Sequence, residues 1–248
     1  MKKRILIPIV YPILIVTILV GAGLAGLVYF EIRKMTTLDT QEIVPGLYAV
    51  KDGYVNFYLI RAQGTYIAVD AGMDPDRIRK ELKRLNIDPE QVGTVFLTHS
   101  DVDHTGGLSV FDRAKIYLPA EEEQMINGQT PRFLFSRNKL VRPHEPIGDN
   151  QVIEVAGHRV RAILTSGHTP GSTCFLVNDT YLFTGDSMSL EDGEVREFNR
   201  LFNMDTKTQQ TSLGKLSAFS PAAHMFTAHY GGTDKVNQAF ARWKVGKT

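Results

Sequence analysis

The sequence "LTHSDVDHTGG", residues 97–107, gathers two histidines and two aspartates within six positions, directly after an apolar run. These four side chains are His99, Asp101, Asp103 and His104. In an extended segment alternate side chains point the same way, so the first two can converge on one ion. The last two follow the predicted strand end and can turn toward a second ion. The motif can be either a solvated turn or a buried metal site. Burying carboxylates without a counter-charge costs free energy, so a buried motif of this kind favours a bound metal ion.

Three later stretches repeat this arrangement of an apolar strand followed by a ligand-type residue. They are "TSGHTPGS" at 165–172, "FTGDS" at 183–187 and "TAHYGG" at 227–232, and they contribute His168, Asp186 and His229. Loops at the ends of strands in a rigid sheet are where proteins commonly place their chemistry. Four such strand ends in one chain predict a shared metal centre.

In this order, the motifs resemble the pattern of the metallo-β-lactamase superfamily: His-x-His-x-Asp-His, a glycine-flanked His, a Gly-Asp and a late His. The resemblance extends from residue 45 to residue 235, and "VDAG" at 69–72 resembles the Asp-containing strand end that precedes the pattern. It implies an α/β fold, an αββα sandwich with a two-metal site between its halves. Asp70 is expected to orient the site through hydrogen bonds.

The resemblance also implies a ligand set. It assigns His99, Asp101 and His168 to one ion, Asp103, His104 and His229 to the other, and Asp186 to a bridging position. Asp101 departs from the commonest motif, which has a second histidine there. A carboxylate in place of an imidazole gives the first site a harder, oxygen ligand and one more negative charge, which favours iron or manganese more than a histidine would. Zinc remains the expected metal.

Two divalent ions about 3.5–4 Å apart can share a hydroxide that attacks a carbonyl or phosphoryl centre at neutral pH. The predicted activity is therefore metal-dependent hydrolysis of a small-molecule ester, thioester, lactone, lactam or phosphodiester. Asp103, a ligand that can also move a proton, is the predicted catalytic residue.

Other functions remain open. A di-iron oxidoreductase of the same fold would suit a carboxylate at position 101, but the chain has no flavin motif and little room for a flavin domain. A non-catalytic metal-binding module is a further alternative. Nucleic acid is not an expected partner, since the chain beyond its first four residues carries 25 basic and 27 acidic side chains. The oligomeric state is left open.

The first 30 residues have three cations, Lys2, Lys3 and Arg4, followed by an uncharged apolar run from Ile5 to Phe30. A helix of this length can cross the ~30 Å hydrocarbon layer. We predict residues 1–35 as a membrane anchor with linker and 36–248 as the hydrolase domain. The N-terminal cations place the anchor's start in the cytoplasm and the domain outside it. A cleaved signal peptide, which would yield a secreted protein, is the alternative.

The remaining composition supports one large globular domain: of 248 residues, 43% are hydrophobic. The single cysteine, Cys174, excludes a cysteine-built zinc site and is expected in the core.

Helices are predicted around 74–87, directly after the motif, near 206–218 and at 233–243. Residues 127–150 are irregular, and their apolar trio at 133–135 is either a pocket lining or self-packed. His144, in this segment, is either a cleft residue or a surface residue.

Overall fold

The structure, a computed structural model, describes residues 7–133, 136–218 and 222–244. By its internal contacts the chain divides into two compact units, Met1–Met35 and Thr36–Thr248. The first unit contains helix α1, Ile7–Ile32, whose segment Ile15–Ile32 is long and apolar enough to cross a membrane and is not buried. It is the one such helix among the described residues, and a signal sequence would meet the same criteria.

The second unit is built on two sheets. The first has seven strands in chain order: β1 Gln41–Val44, β2 Leu47–Asp52, β3 Val55–Ala62, β4 Thr65–Val69, β5 Val92–Phe96, β6 Lys115–Pro119 and β7 Glu145–Ile147. Strands β1 to β4 pair antiparallel, as expected for hairpins with tight Gly-containing turns, whereas β4 to β7 pair parallel through crossovers.

The second sheet has six strands, and a separate two-stranded hairpin lies between them in the chain. The strands are β8 Val152–Val155, β9 His158–Leu164, β10 Thr173–Val177, β11 Tyr181–Phe183, the hairpin strands β12 Ser189–Glu191 and β13 Glu194–Arg196, then β14 His224–Phe226 and β15 Gly232–Thr233. The order in the six-stranded sheet is β15-β14-β11-β10-β9-β8. Strands β9, β11 and β14 run in the same direction, because β10 is antiparallel to both β9 and β11, and β14 is parallel to β11.

The helices of the second unit are short, and α2 and α5 lie on the outer faces of the two sheets. They are α2 Pro75–Arg84, α3 Val102–Thr105, α4 Glu123–Ile126, α5 Thr206–Ala218 and α6 Val236–Ala239. Helix α2 shows why these positions are helical: Asp74 accepts hydrogen bonds from the backbone N–H groups of Asp76 and Arg77, and Pro75 is the first helical residue. Ile78 and Leu82 on one face are fully buried.

Three apolar clusters give the order of the layers. The central cluster joins the inner faces of the sheets, with Phe96 and Tyr58 from the first against Phe175 and Phe183 from the second. A second cluster lies between the first sheet and α2, and a third packs Leu213 of α5 onto the second sheet. The arrangement is helix, sheet, sheet, helix, so the predicted αββα sandwich is confirmed.

Several local predictions differ from the structure. The segment after the motif forms only the single turn α3 and a 3-10 turn, Gly106–Val110, because its glycines pass close to other backbone. A Cβ on Gly106 would lie 2.6 Å from the carbonyl oxygen of Met73. The predicted terminal helix is reduced to α6 and a 3-10 turn at Ala241–Trp243. The irregular segment contains β7, and two members of its apolar trio, Leu134 and Phe135, lie outside the described residues.

Candidate metal centre

The strand order brings the predicted ligand loops to one edge of the sandwich. Strands β4 and β5 are parallel, so Asp70 and the motif leave the first sheet at the same end. Strands β9, β11 and β14 likewise release their following loops at one end of the second sheet. All seven predicted ligands meet there: His99, Asp101, Asp103, His104, His168, Asp186 and His229.

Each of the four histidines uses its Nδ1 atom to bond to the protein. These Nδ1 contacts are 3.0 Å from His99 to Thr98 Oγ1, 2.9 Å from His104 to Asp70 Oδ2, 3.4 Å from His168 to Asn203 Oδ1 and 2.6 Å from His229 to the Tyr54 carbonyl oxygen. The opposite ring atom, Nε2, is thereby directed at the centre of the cluster. Metal-binding histidines are commonly oriented in this way by a partner on the other nitrogen.

Asp186 lies between two sets of ligands, because its two oxygens face different histidines. Its Oδ2 is 3.4 Å from His168 Nε2 and 4.0 Å from His99 Nε2. Its Oδ1 is 3.1 Å from His229 Nε2 and 3.4 Å from His104 Nε2. The resemblance implies this bridging position for Asp186.

Two sets of three ligand atoms surround this carboxylate, and in each set the atoms lie within 4.8 Å of one another. We call them the first set, His99, Asp101 and His168, and the second set, Asp103, His104 and His229. Among the described residues, three buried atoms of the centre lack a hydrogen-bond partner: His99 Nε2, His104 Nε2 and Asp186 Oδ1. Buried polar atoms are rarely left unpaired, so these residues fit a bound cation.

The electrostatics of the cluster also favour a positive charge at its centre. Burial opposes charge on His104, but Asp70, Asp186 and Asp103 raise its pKa well above the usual value. Burial would likewise raise the pKa of Asp186, yet His229, His104 and His168 hold it well below its usual range. The cluster therefore favours ionised carboxylates next to a cation, and a divalent ion supplies that charge without protonating the rings.

Asp70 and Glu122 hold the ligand loops in place. Asp70 Oδ1 accepts a hydrogen bond from the backbone N–H of Thr98, 2.7 Å away, while its Oδ2 contacts His104. Glu122, which sequence reasoning missed, accepts from the backbone N–H groups of Ser100 at 2.8 Å and Gly171 at 3.0 Å. It thus ties the motif to the loop of His168. A glutamate in a run of three gives no sequence signal for such a role.

Arg132 is the second residue that the sequence did not reveal, and it contacts the first set directly. Its Nε donates to Asp101 Oδ1 at 2.8 Å, and its Nη2 donates to Oδ2 at 2.8 Å. Nη2 also lies 3.1 Å from His168 Nε2 and donates to the carbonyl oxygen of Phe202. The Arg132 side chain is only 4% exposed. No periodic pattern marks the irregular segment that carries it.

Three exposed apolar side chains are chain neighbours of residues at or beside the centre. In the second unit, four large apolar side chains are described as exposed: Val102, Phe133, Leu201 and Val141. The first three are direct chain neighbours of Asp101, Arg132 and Phe202, which are joined by the hydrogen bonds of Arg132. Tyr54 stacks on the ring of His229, with 5.8 Å between centroids, and burial raises its pKa to about 12. We call Val102, Phe133 and Leu201 the apolar rim.

The other histidines and the cysteine lie outside the metal centre. His144 Nε2 pairs with Glu123 Oε1 at 2.6 Å, so it does not enter the cleft. His158 contacts the carbonyl oxygen of Arg61, and His224 stacks on Tyr181. Cys174 is fully buried in β10, as expected of a small core residue.

Comparison with known proteins finds one family model and several relatives that resemble this chain. A sequence model of the metallo-beta-lactamase superfamily matches residues 50–229. A protein named "Probable polyketide biosynthesis zinc-dependent hydrolase BaeB", from Bacillus velezensis, is 31% identical over 134 residues, which are 53% of each chain. A hydroxyacylglutathione hydrolase from Citrobacter koseri is 30% identical over 185 residues, 73% of this chain and 63% of its own. The chain thus spans between half and two thirds of the length of these relatives.

Solved structures share the fold. A metallo-beta-lactamase family protein from Thermus thermophilus has a TM-score of 0.61 at 24% identity, covering 81% of this chain and 78% of its own. A B3 metallo-beta-lactamase described as the first with an active site glutamic acid has a TM-score of 0.65 at 16% identity, covering 84% and 88%.

Proposed function

Because the chain belongs to the metallo-β-lactamase superfamily, we propose that it is a metal-dependent hydrolase whose active site is this cluster. The observation that carries the proposal is the convergence of four histidine Nε2 atoms on Asp186, with three buried atoms left without a hydrogen-bond partner among the described residues. Two relatives whose names include "hydrolase" support the same activity.

The proposed ligands are those of the two sets, with Asp186 between them. When bound, divalent ions lower the pKa of a coordinated water and polarise the oxygen of a carbonyl or phosphoryl group. The residues of this chain position the ions. Asp186 contacts histidines of both sets, and the Nδ1 partners of the histidines fix the orientation of their rings. Asp103, 3.5 Å from His229 Nε2 and partly exposed to the cleft, accepts and returns a proton at its carboxylate.

We propose two ions, with zinc as the preferred metal. The seven ligands comprise four imidazoles and three carboxylates, a mixture that suits zinc and also accommodates iron or manganese. One relative is named as zinc-dependent, which supports zinc.

The proposed substrate is a small molecule that combines a hydrolysable bond with an apolar group. The apolar rim supports this choice, because three of the four described exposed large apolar side chains of the second unit neighbour the site. An apolar group lying on that rim would remove its surface from water and orient the bond over the ions. Candidate bonds are an ester, thioester, lactone, lactam or phosphodiester.

The activity test uses the purified full-length chain and a panel of esters, lactones, lactams, thioesters and phosphodiesters with short and long apolar groups. Turnover of at least one class is expected, with loss after chelation and return on adding Zn²⁺. Absence of turnover for every class in a protein that retains its ions would favour a non-catalytic metal-binding module and overturn the proposal.

We also propose that residues 1–35 anchor the domain 36–248 to the cell membrane, with the domain outside the cytoplasm. The length of the apolar segment Ile15–Ile32 and the N-terminal cations support this orientation. A full-length chain expressed in cells should remain with the membrane after alkaline carbonate washing, and protease added to intact spheroplasts should digest the domain. A shortened chain in the soluble fraction would instead indicate a cleaved signal peptide.

A further inference from the structure

The two sets of ligands differ in one respect, which is the source of their counter-charge. Asp101 in the first set already has a cation of the protein itself, because the guanidinium of Arg132 contacts both of its oxygens. Asp103 and Asp186 contact histidines, at 3.5 Å and 3.1 Å from His229 Nε2, as Asp101 also does, at 3.1 Å from His168 Nε2. In the part of the chain that the structure describes, no lysine or arginine contacts Asp103 or Asp186, so the second set lacks the guanidinium that occupies the first set.

Both carboxylate oxygens of Asp101 already accept hydrogen bonds from protein groups. Its Oδ1 accepts from Arg132 Nε and from Asn138 Nδ2, both at 2.8 Å, and its Oδ2 accepts from Arg132 Nη2. A guanidinium that meets a carboxylate with two parallel N–H groups makes one of the strongest ion pairs in proteins. An ion that uses Asp101 as ligand must weaken this pair.

Arg132 also lies close to where an ion of the first set would be held. Its Nη2 is 3.1 Å from His168 Nε2, the atom that would coordinate the ion. Two positive charges a few Å apart in a buried site repel strongly, because little water screens them. The guanidinium is held there by the carbonyl oxygen of Phe202 and by stacking on Phe133, 4.4 Å from its centroid.

We infer that Arg132 competes with a divalent ion for Asp101, so that the chain binds one ion tightly at the second set and another much more weakly at the first. This inference rests on the proposed metal dependence of the site. Asp101 replaces a histidine of the commonest family motif, and a carboxylate, unlike an imidazole, attracts the guanidinium. The aspartate at position 101 and Arg132 therefore act together to make the metal affinity of the first set lower than that of the second.

The test is a zinc titration of the chelator-stripped full-length chain, with bound ions counted by native mass spectrometry and elemental analysis. The wild-type chain should bind two equivalents in separate steps, the second at least about 10-fold weaker than the first. The Arg132→Ala variant should tighten the second equivalent about 10- to 100-fold and leave the first unchanged. Arg137→Ala, which removes an exposed arginine of the same segment, is the matched control and should behave as wild type.

Results that overturn this inference differ from results that contradict the proposed function. Two equivalents of equal affinity in the wild-type chain would overturn the inference, and so would loss of the second ion in Arg132→Ala, which would make Arg132 a residue that positions Asp101 for the metal. Arg132→Lys keeps the charge without the two-pronged contact and should give a smaller tightening, which provides a second reading if Arg132→Ala does not fold. Failure of every variant to bind any ion would instead contradict the proposed function.

Discussion

Asp70 Oδ2 lies 2.9 Å from His104 Nδ1, and both side chains are buried. The carboxylate fixes the imidazole so that Nε2 faces the metal centre, and it raises the basicity of that atom. Asp70 itself sits in the left-handed backbone region, with φ of 63°, at the turn that ends β4. A residue at the end of one strand thus sets the orientation of a ligand that follows the neighbouring strand.

Replacing Asp70 with Asn should therefore lower the affinity of the first bound ion by about 10- to 100-fold. The loss follows from removing the negative charge beside His104, while the left-handed turn still accommodates asparagine. Zinc titration of the stripped protein measures the effect. Asp192→Asn is the matched control, since Asp192 is exposed and has a φ of 51°. Equal affinities in the two variants would show that Asp70 does not support the ligand.

Replacing Asp103 with Asn should reduce turnover by about 10²- to 10⁴-fold, because the amide cannot accept the proton that the carboxylate moves. The fold should persist, since Asp103 is partly exposed and asparagine has nearly the same size and shape. Turnover of the best substrate and the melting temperature are measured together. Asp112→Asn, at an exposed aspartate of the same region, should leave both unchanged. Full turnover in Asp103→Asn would refute the catalytic assignment.

Replacing Leu201 with Ser should raise the KM for substrates with a long apolar group and leave it nearly unchanged for short ones. The reason is the lost burial of apolar area, about 25 cal/mol per Å². Val141→Ser is the control, because Val141 is 94% exposed and does not adjoin the residues that Arg132 joins. The measurement is KM across a series of chain lengths. A parallel shift for short and long substrates would show that the rim does not contact the apolar group.

Cys174 should not react with thiol reagents in the folded protein. Burial raises the pKa of its thiol to about 11, so hardly any thiolate is present near neutral pH, and the side chain is fully buried. Labelling with a disulfide reagent should require denaturant and should give one thiol per chain. Rapid labelling of the native protein would place Cys174 on an accessible surface and contradict the packing of β10.

The convergence of the proposed ligands could be predicted because each follows an apolar strand, and strand ends in an αββα sandwich meet at one edge. Asp186 and His229 illustrate this: each stands alone in its segment, yet its position shortly after a strand is visible in the sequence. The family resemblance supplied their roles, and the structure brings their side chains within 3.1 Å of each other. Asp70 was expected to act through hydrogen bonds, and it makes them with Thr98 and His104.

Arg132 and Glu122 were not predictable from the sequence. Arg132 lies in a segment without helical or strand periodicity, so no pattern indicates where its side chain points. Its contact with Asp101 spans 31 positions and depends on the path of an irregular loop. The 3-10 turn after the motif was missed for a related reason: the close passage of Gly106 and Gly107 past neighbouring backbone is a tertiary constraint that overrides the local helical pattern.

A crystal structure of the zinc-loaded chain, with anomalous data at the zinc absorption edge, would show whether this cluster binds metal. We predict a strong anomalous peak bounded by Asp103, His104, His229 and Asp186, with a weaker or absent peak at the first set while Arg132 contacts Asp101. A map with no peak among these ligands, or with zinc bound only elsewhere on the chain, would contradict it.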